Sequence, residues 1–211
     1  MKSARFSILA ILILSITTAT AEAGWLIYHE PEFQGTILDI DTKQPIEGAV
    51  IVAVYKKSTM GLGTGTMSSI INIRETLTDK EGNFRVPSYT TFIQPFSWKS
   101  QTIFIIFKPG YASIETGNWH FMGKELKKAQ ERGWPWTENL KYKLHGRGIV
   151  ELPRLQSREE RRNSKPSPAE DSEHESSWYY KKQKLLIKAI RDEWQYLYGE
   201  KPGTLYKWED N

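Results

Sequence analysis

The stretch Phe104-Ile105-Ile106-Phe107-Lys108-Pro109-Gly110-Tyr111 decides the fold class of this 211-residue chain. An unbroken run of β-branched and aromatic residues that ends at Pro-Gly is typical of a buried strand followed by a tight turn. Side chains alternate along a strand, so Phe104 and Ile106 lie on one face, and Ile105 and Phe107 on the other. Both faces are apolar and need a cover. We expect one cover to be a facing sheet and the other to come from elsewhere in the chain.

Further strands are predicted on the N-terminal side of this stretch. Residues 33–40 predict a first strand, and residues 50–55 predict a second with apolar residues on both faces. Residues 76–78 and 84–86 predict two shorter strands joined by a turn. Residues 58–69 are rich in Gly, Ser and Thr and predict a surface loop, because glycine clusters of this kind are usually loops. A phosphate-binding loop is excluded, because the Lys-Ser/Thr pair of its signature is missing. The chain is therefore predicted to be mainly β.

The N-terminus has the three parts of a secretory signal peptide. Lys2 and Arg5 form a positive region, residues 6–16 are apolar, and Ala21-Glu22-Ala23 predicts cleavage before Gly24. The apolar stretch is shorter than the roughly 20 residues that cross a bilayer, so we expect export with no transmembrane segment after cleavage. The alternative is an uncleaved N-terminal membrane anchor. The sequence contains no cysteine, which excludes a lipoprotein anchor and disulfides and favours a periplasmic over another secreted location.

The charge balance excludes one class of partner. There are 29 Lys and Arg residues against 25 Asp and Glu residues, and a nucleic-acid interface would need a basic stripe on one face. We therefore expect no nucleic acid among the partners. Four acidic residues at predicted turns are candidates for a calcium site: Asp39, Asp41, Asp79 and Glu81. Turn chemistry explains the aspartates without a metal, because Asx side chains bond nearby backbone amides, and we expect no metal.

Catalytic signatures are missing from the sequence. There is no cysteine nucleophile, no Gly-x-Ser-x-Gly elbow and no His-Glu-x-x-His pair. The four histidines are scattered, without the spacing of metal ligands, and are interpreted as surface residues. A hydrolase of an unrecognised kind would need at least two of His120, His145 and Asp39 to converge in a cleft. We expect no catalytic residues, no enzyme activity and no cofactor.

Four short motifs occur in an order that is found in one domain family. They are Gly35-x-x-x-Asp39, Pro45-Ile46-x-Gly48-Ala49-x-Ile51, Thr78-Asp79-x-x-Gly82-x-Phe84 and Lys108-Pro109-Gly110-Tyr111. Together they resemble the carboxypeptidase regulatory-like domain, and residues 149–155 resemble the closing strand of that family. The resemblance covers residues 33–155 and implies an antiparallel, transthyretin-like Greek-key β-sandwich. It implies no activity, because the closing Tyr-Arg-Gly-Ser of the transthyretin-like hydrolase is absent and a fold does not fix a function.

Two segments depart from the pattern of this family. Residues 87–101 replace a short turn with a longer aromatic segment, and the insert at 112–148 is larger than the family requires. The insert contains a predicted helix at 124–132 and the candidate ligand-binding residues Trp119, His120, Trp134, Trp136 and Tyr142. We favour the interpretation that these rings cover the outer face of a sheet, because Trp and Tyr are highly buried on average. The alternative is a carbohydrate-binding module, in which exposed rings stack on sugars.

The C-terminal third differs in composition from the rest. Residues 156–177 are charged and Ser/Pro-rich and predict a polar linker, whereas residues 178–198 predict an amphipathic helix ended by Gly199. The apolar stripe of this helix consists of Leu186, Ile190, Trp194 and Leu197, with Ile187 beside it. The helix is the candidate for the missing cover, either over the face with Phe104 and Ile106 or on the Trp-rich insert. The alternative is that it binds another protein.

The sequence thus predicts four regions: a signal peptide at 1–23, a β-sandwich at 24–155, a polar linker at 156–177, and a C-terminal helix and tail at 178–211. The favoured function is an exported, non-catalytic accessory or binding protein of the cell envelope. Its partner is expected to be another envelope protein or a glycan. A carbohydrate-binding module is the first alternative and an unrecognised hydrolase the second.

Overall fold

The computed structural model describes residues 26–61, 63, 65–117, 143–145 and 148–199. These residues contain eleven strands and three helices. The strands are β1 (Ile27–Glu30), β2 (Phe33–Asp39), β3 (Val50–Gly61), β4 (Gly65–Leu77), β5 (Asn83–Val86), β6 (Tyr89–Phe92), β7 (Ser97–Lys99), β8 (Ile103–Phe107), β9 (Ile114–Gly117), β10 (Lys143–His145) and β11 (Ile149–Leu152). The helices are α1 (Arg158–Asn163), α2 (Ser176–Lys181) and α3 (Lys184–Tyr198).

The strands form two sheets and a ribbon. Strands β10, β11, β2 and β5 form a four-stranded sheet in that order, and β4, β3, β8 and β9 form a five-stranded sheet together with β7, which pairs with β3. Strands β1 and β6 form the two-stranded ribbon. The pairings are antiparallel except for β2 with β11, which run parallel with Thr36 opposite Ile149. The prediction of a mainly β chain with antiparallel sheets is confirmed, with this one pair as the exception.

The predicted central strand is β8, which lies between β3 and β9 in the five-stranded sheet. Its inner face, with Phe104 and Ile106, packs in one core with side chains of the four-stranded sheet. Phe104 meets Phe33 of β2 edge to face, with ring centroids 4.9 Å apart. Strands of both sheets contribute buried residues to this core, including Ile51 of β3 and Leu152 of β11. The first of the two expected covers is therefore the four-stranded sheet.

The outer face of β8 is covered by the C-terminal helices. Ile105 and Phe107 share a second core with Tyr179 of α2 and with Leu186 and Ile190 of α3. The helix is thus the second cover, as predicted. It lies on the opposite face from the one we expected, because the residues of the inner face are already enclosed between the sheets.

The predicted helix at 178–198 is divided into α2 and α3. Gln183 lies at the break, and its buried side-chain amide exchanges two hydrogen bonds of 2.8 Å with the backbone of Ala169. The first amides of α3 are capped from the sheet, because the carboxylate of Glu75 accepts hydrogen bonds from Leu185 N (2.8 Å) and Leu186 N (3.2 Å). The break therefore occurs where long-range polar contacts replace helical ones.

The predicted linker at 156–177 carries helix α1 and packs on the rest of the protein. Ser157 and Glu160 form a reciprocal capping box at the start of α1. Further along, Asp171 accepts hydrogen bonds from the Tyr179 hydroxyl and from the backbone amide of Ile70 in β4. The segment is polar because it lies at the surface, and the side-chain hydrogen bonds of Asp171 attach it to β4 and α2.

Two segments predicted as irregular are paired strands. Strands β3 and β4 continue their ladder as far as Gly61 opposite Gly65, so the predicted loop at 58–69 is the end of a long hairpin. The register shifts between Tyr55 and Lys56. We call the part beyond this shift, residues 56–61 and 65–70, the arm. The aromatic segment at 87–101 contains β6 and β7, and β7 pairs with the arm.

Candidate functional site

The first candidate group lies at the turn after β2. Asp39 is buried, and its Oδ1 accepts hydrogen bonds of 3.0 Å from the backbone amides of Asp41 and Thr42. Its Oδ2 accepts one of 3.1 Å from the hydroxyl of Tyr111, and Arg154 donates to the same hydroxyl at 2.9 Å. Burial would raise the pKa of Asp39, but the hydrogen bonds outweigh it and the pKa is lowered. Asp39 is therefore an ionised residue that fixes a turn.

The Thr-Asp-x-x-Gly motif forms a second turn with a similar role. The buried hydroxyl of Thr78 donates to Ile46 O at 2.6 Å and accepts from Ala49 N at 2.8 Å, which ties two segments together. The carboxylate of Asp79 accepts from Asn83 N at 2.7 Å. The predicted turn roles of Asp39 and Asp79 are thus confirmed. Among the residues that the structure describes, no group of three or more His, Asp or Glu side chains could hold a metal ion.

A buried ion pair connects α1, α3 and the turn after β8. Glu193 of α3 is 1% exposed and accepts two hydrogen bonds from the guanidinium of Arg161, at 2.7 Å from Nε and 2.6 Å from Nη2. The backbone amide of Gly110 donates to the same carboxylate at 3.1 Å. The hydrogen bond to Glu193 raises the pKa of Arg161 further, so the guanidinium stays charged. We call Arg161, Glu193 and Gly110 the clasp.

A surface groove lies beside the clasp, between α1 and the end of α3. Its volume is about 400 Å³, and its lining residues are Arg158, Glu159, Arg162, Leu197 and Tyr198. Arg158 is held in place by a hydrogen bond of 3.1 Å from its Nη2 to the carbonyl oxygen of Leu197. Grooves of this size accommodate small ligands or the side chains of a peptide. Two guanidinium groups against one carboxylate favour a ligand with a negative charge.

A third polar group is enclosed between the ribbon and the five-stranded sheet. Glu30 of β1 is buried and accepts hydrogen bonds from Tyr28 Oη at 2.9 Å, Thr102 Oγ1 at 2.5 Å and Lys99 Nζ at 2.7 Å. Burial, followed by the charge of Glu30, raises the pKa of Tyr28. These three donors satisfy both oxygens of the buried carboxylate. Its role is to attach β1 to the sheet.

The candidate ligand-binding residues named from the sequence are Trp119, His120, Trp134, Trp136 and Tyr142, and all five lie outside the described residues. The convergence required of a hydrolase is likewise a prediction that the described residues do not test, since His120 is one of its members. The clasp and the groove were missed because their arginines fall in the predicted linker. Ser157 and Glu160, spaced as a capping box before a charged run, are the signal that indicates α1 there.

No helix in the described part of the chain is long and apolar enough to cross a membrane. Comparison with known proteins found no matching family model, no matching curated protein and no matching solved structure. Function is therefore inferred from the residues of the chain and their geometry.

Proposed function

We propose that this chain is an exported, non-catalytic accessory or binding protein of the cell envelope, built on a carboxypeptidase regulatory-like Greek-key β-sandwich. The observation that carries the proposal is that three buried carboxylates are occupied by hydrogen bonds from the protein itself. Asp39, Glu30 and Glu193 each accept hydrogen bonds from backbone amides, hydroxyl groups or cations of the protein itself. General acid–base catalysis needs a carboxylate within reach of a substrate proton, whereas these three stabilise the fold.

The positions of the family-like motifs support the fold part of the proposal. Thr78 and Asp79 bond the backbone of their turn, and Gly82 follows with φ +73°. A Cβ on Gly82 would lie 2.5 Å from Ile37 O, so the position requires glycine. The motif residues therefore have structural roles in turns, which is what the resemblance implies.

The groove supports the binding part of the proposal. Its two arginines belong to one side of α1, since Arg158 and Arg162 are four residues apart. Leu197 and Tyr198 add apolar surface next to them. Such a surface suits an acidic segment of another envelope protein, because guanidinium groups bind carboxylates in a planar, two-bond geometry.

A capture experiment with a matched charge reversal tests this proposal. The tagged full chain is cross-linked in cells and recovered from the envelope fraction, alongside Arg162→Glu in the groove and Lys188→Glu on the exposed side of α3. The native chain and Lys188→Glu should retain the same partner, and Arg162→Glu should lose it. Recovery of the native chain only as a free monomer would refute the binding role. Equal retention by both variants would remove the groove as the site.

A further inference from the structure

Most of the exposed large apolar side chains belong to neighbouring parts of the fold, the arm, β7 and the β1–β6 ribbon. Nine large apolar side chains are exposed among the described residues, and six belong to the arm, the ribbon, β7 or the residue before β7. These six are Ile27, Met60, Met67, Phe92, Phe96 and Trp98. A cluster of this kind on a folded domain marks an interaction surface rather than chance exposure.

The arm exposes apolar side chains on both of its faces. Met60 is paired with Thr66, and Met67 is paired with Thr59. Cross-strand partners share a face and neighbouring residues of a strand do not, so Met60 and Met67 lie on opposite faces of the hairpin. Their exposed fractions are 66% and 63%. A protein partner that covers one face would leave the other methionine in water, whereas a lipid phase surrounds both.

The two lysines of the arm, Lys56 and Lys57, lie at its base, and the part beyond them carries no charge that would oppose entry into lipid. Between Lys57 and Arg74 the sequence contains no Asp, Glu, Lys or Arg residue. A charged side chain would be costly to bury in a bilayer, and serine and threonine hydroxyls can remain hydrogen-bonded among the lipid headgroups. The ladder between β3 and β4 also bonds the backbone groups that face inward within the arm.

Two exposed aromatic side chains, Phe96 and Trp98, lie alongside the arm. Trp98 is opposite Ser58, three residues before the end of the ladder at Gly61, which corresponds to about 10 Å along a strand. The carbonyl of Phe96 accepts a hydrogen bond from Met60 N at 3.0 Å. Phe96 is 70% exposed and has φ 62°, a conformation that costs energy for a bulky residue. Tryptophan is enriched at the membrane–water interface in membrane-bound proteins.

We propose that the arm inserts into the interfacial region of a lipid bilayer, with Met60, Met67 and Phe96 on the lipid side of Trp98, which lies at headgroup level. The contact is apolar and peripheral, and the insertion depth of about 10 Å agrees with that of interfacial segments. Neither the export of the chain nor its accessory role is required for this contact.

Site-specific fluorophores test the insertion directly, because the chain has no cysteine of its own. Met60→Cys and Met67→Cys, prepared in the full chain, are each labelled with an environment-sensitive dye, and Leu77→Cys at the other end of β4 serves as an exposed control. With vesicles of phosphatidylcholine, both arm labels should shift to the blue, brighten severalfold and be quenched by lipid-attached quenchers. The control label should not change. The response should persist in 1 M NaCl, because the contact is apolar.

Other outcomes would overturn the proposal. Unchanged arm labels on vesicle-bound protein would assign the binding to a different segment, such as the N-terminal apolar stretch. A shift at only one of the two methionines would indicate a one-sided contact. As a second measurement, Met60→Ser combined with Met67→Ser should weaken the binding of the arm by about tenfold or more, since two apolar side chains are removed from the lipid. Equal binding by this variant and the native chain would also refute insertion.

Discussion

The two faces of the five-stranded sheet are covered in different ways. The inner face, with Phe104, is closed by the four-stranded sheet through a shared core of apolar side chains. The outer face, with Phe107, is closed by α2 and α3, whose attachment also uses the polar residues Glu75, Asp171 and Glu193. The first cover follows from the alternation of side chains along strands. The second depends on individual charged groups, so it should be possible to loosen it without unfolding the sheets.

The largest expected effect compares two phenylalanines of β8. Phe104→Ala should lower the free energy of unfolding by about 4 kcal/mol, because the cavity lies between two sheets that cannot close over it. Phe107→Ala should cost about 3 kcal/mol, because helices on the surface can move towards the space. Urea denaturation followed by fluorescence measures both values. A greater cost for Phe107→Ala would show that the outer cover is as rigid as the inner one.

The next effect concerns the clasp. Glu193→Gln should lower the free energy of unfolding by about 2 kcal/mol, because it leaves the guanidinium of Arg161 partly buried without its counter-charge. Hydrogen exchange should become faster in α1 and in the last turns of α3, and remain slow in β3 and β8. Combining Glu193→Met with Arg161→Met should recover most of the stability, because no unpaired charge is then buried. Loss of protection in all elements together would refute an independently loosened cover.

A smaller effect is expected at the cap of α1. Ser157→Ala removes the side chain that accepts a hydrogen bond from Glu160 N at 3.1 Å, and should destabilise α1 by about 1 kcal/mol. Exchange of the amides in α1 should accelerate, while the unfolding midpoint of the sheets stays within error of the native value. Thr90→Ser, at an exposed position of β6, is a control that should change neither measurement.

The smallest expected effect is a change in how the stability of the protein declines at acidic pH. The pKa values of Asp39 and Asp171 are lowered in the folded protein, each because hydrogen bonds outweigh the opposing effect of burial. Their ionised forms therefore stabilise the fold above the unfolded pKa of about 4, and this contribution is lost as the pH falls through the lower, folded pKa. Asp39→Asn and Asp171→Asn should each flatten the decline of stability below pH 4 in urea titrations. A decline identical to that of the native chain would contradict these roles.

Residues with strong local signals were predicted well. The apolar run of β8 and the turn containing Thr78 and Asp79 depend on neighbouring positions, so their roles could be derived from the sequence. The covering helix was also predicted, because its apolar residues recur at helical spacing. Helical periodicity did not predict the burial of Glu193, a charged residue next to the apolar stripe. Its burial depends on Arg161, which belongs to a distant segment.

Elements that depend on pairing with distant residues were not predicted. The arm has little apolar alternation, and its strands are defined by the backbone ladder that continues from the core of the sheet. The split between α2 and α3 depends on Ala169 and Glu75, which the local sequence around Gln183 does not reveal. The predicted ligand-binding residues, from Trp119 to Tyr142, remain predictions, because they lie outside the described part of the chain.

The parallel pairing of β2 with β11 has a consequence for how the protein folds. Ile37 and Val150 are partners although more than a hundred residues separate them along the chain. Bringing such distant segments together carries a loop-closure entropy cost, and contacts of this kind slow folding. The ribosome must therefore release the chain as far as β11, which ends at Leu152, before the four-stranded sheet can form. Until then the emerging polypeptide lacks a completed sheet, the condition in which a chain can still be threaded through a narrow channel.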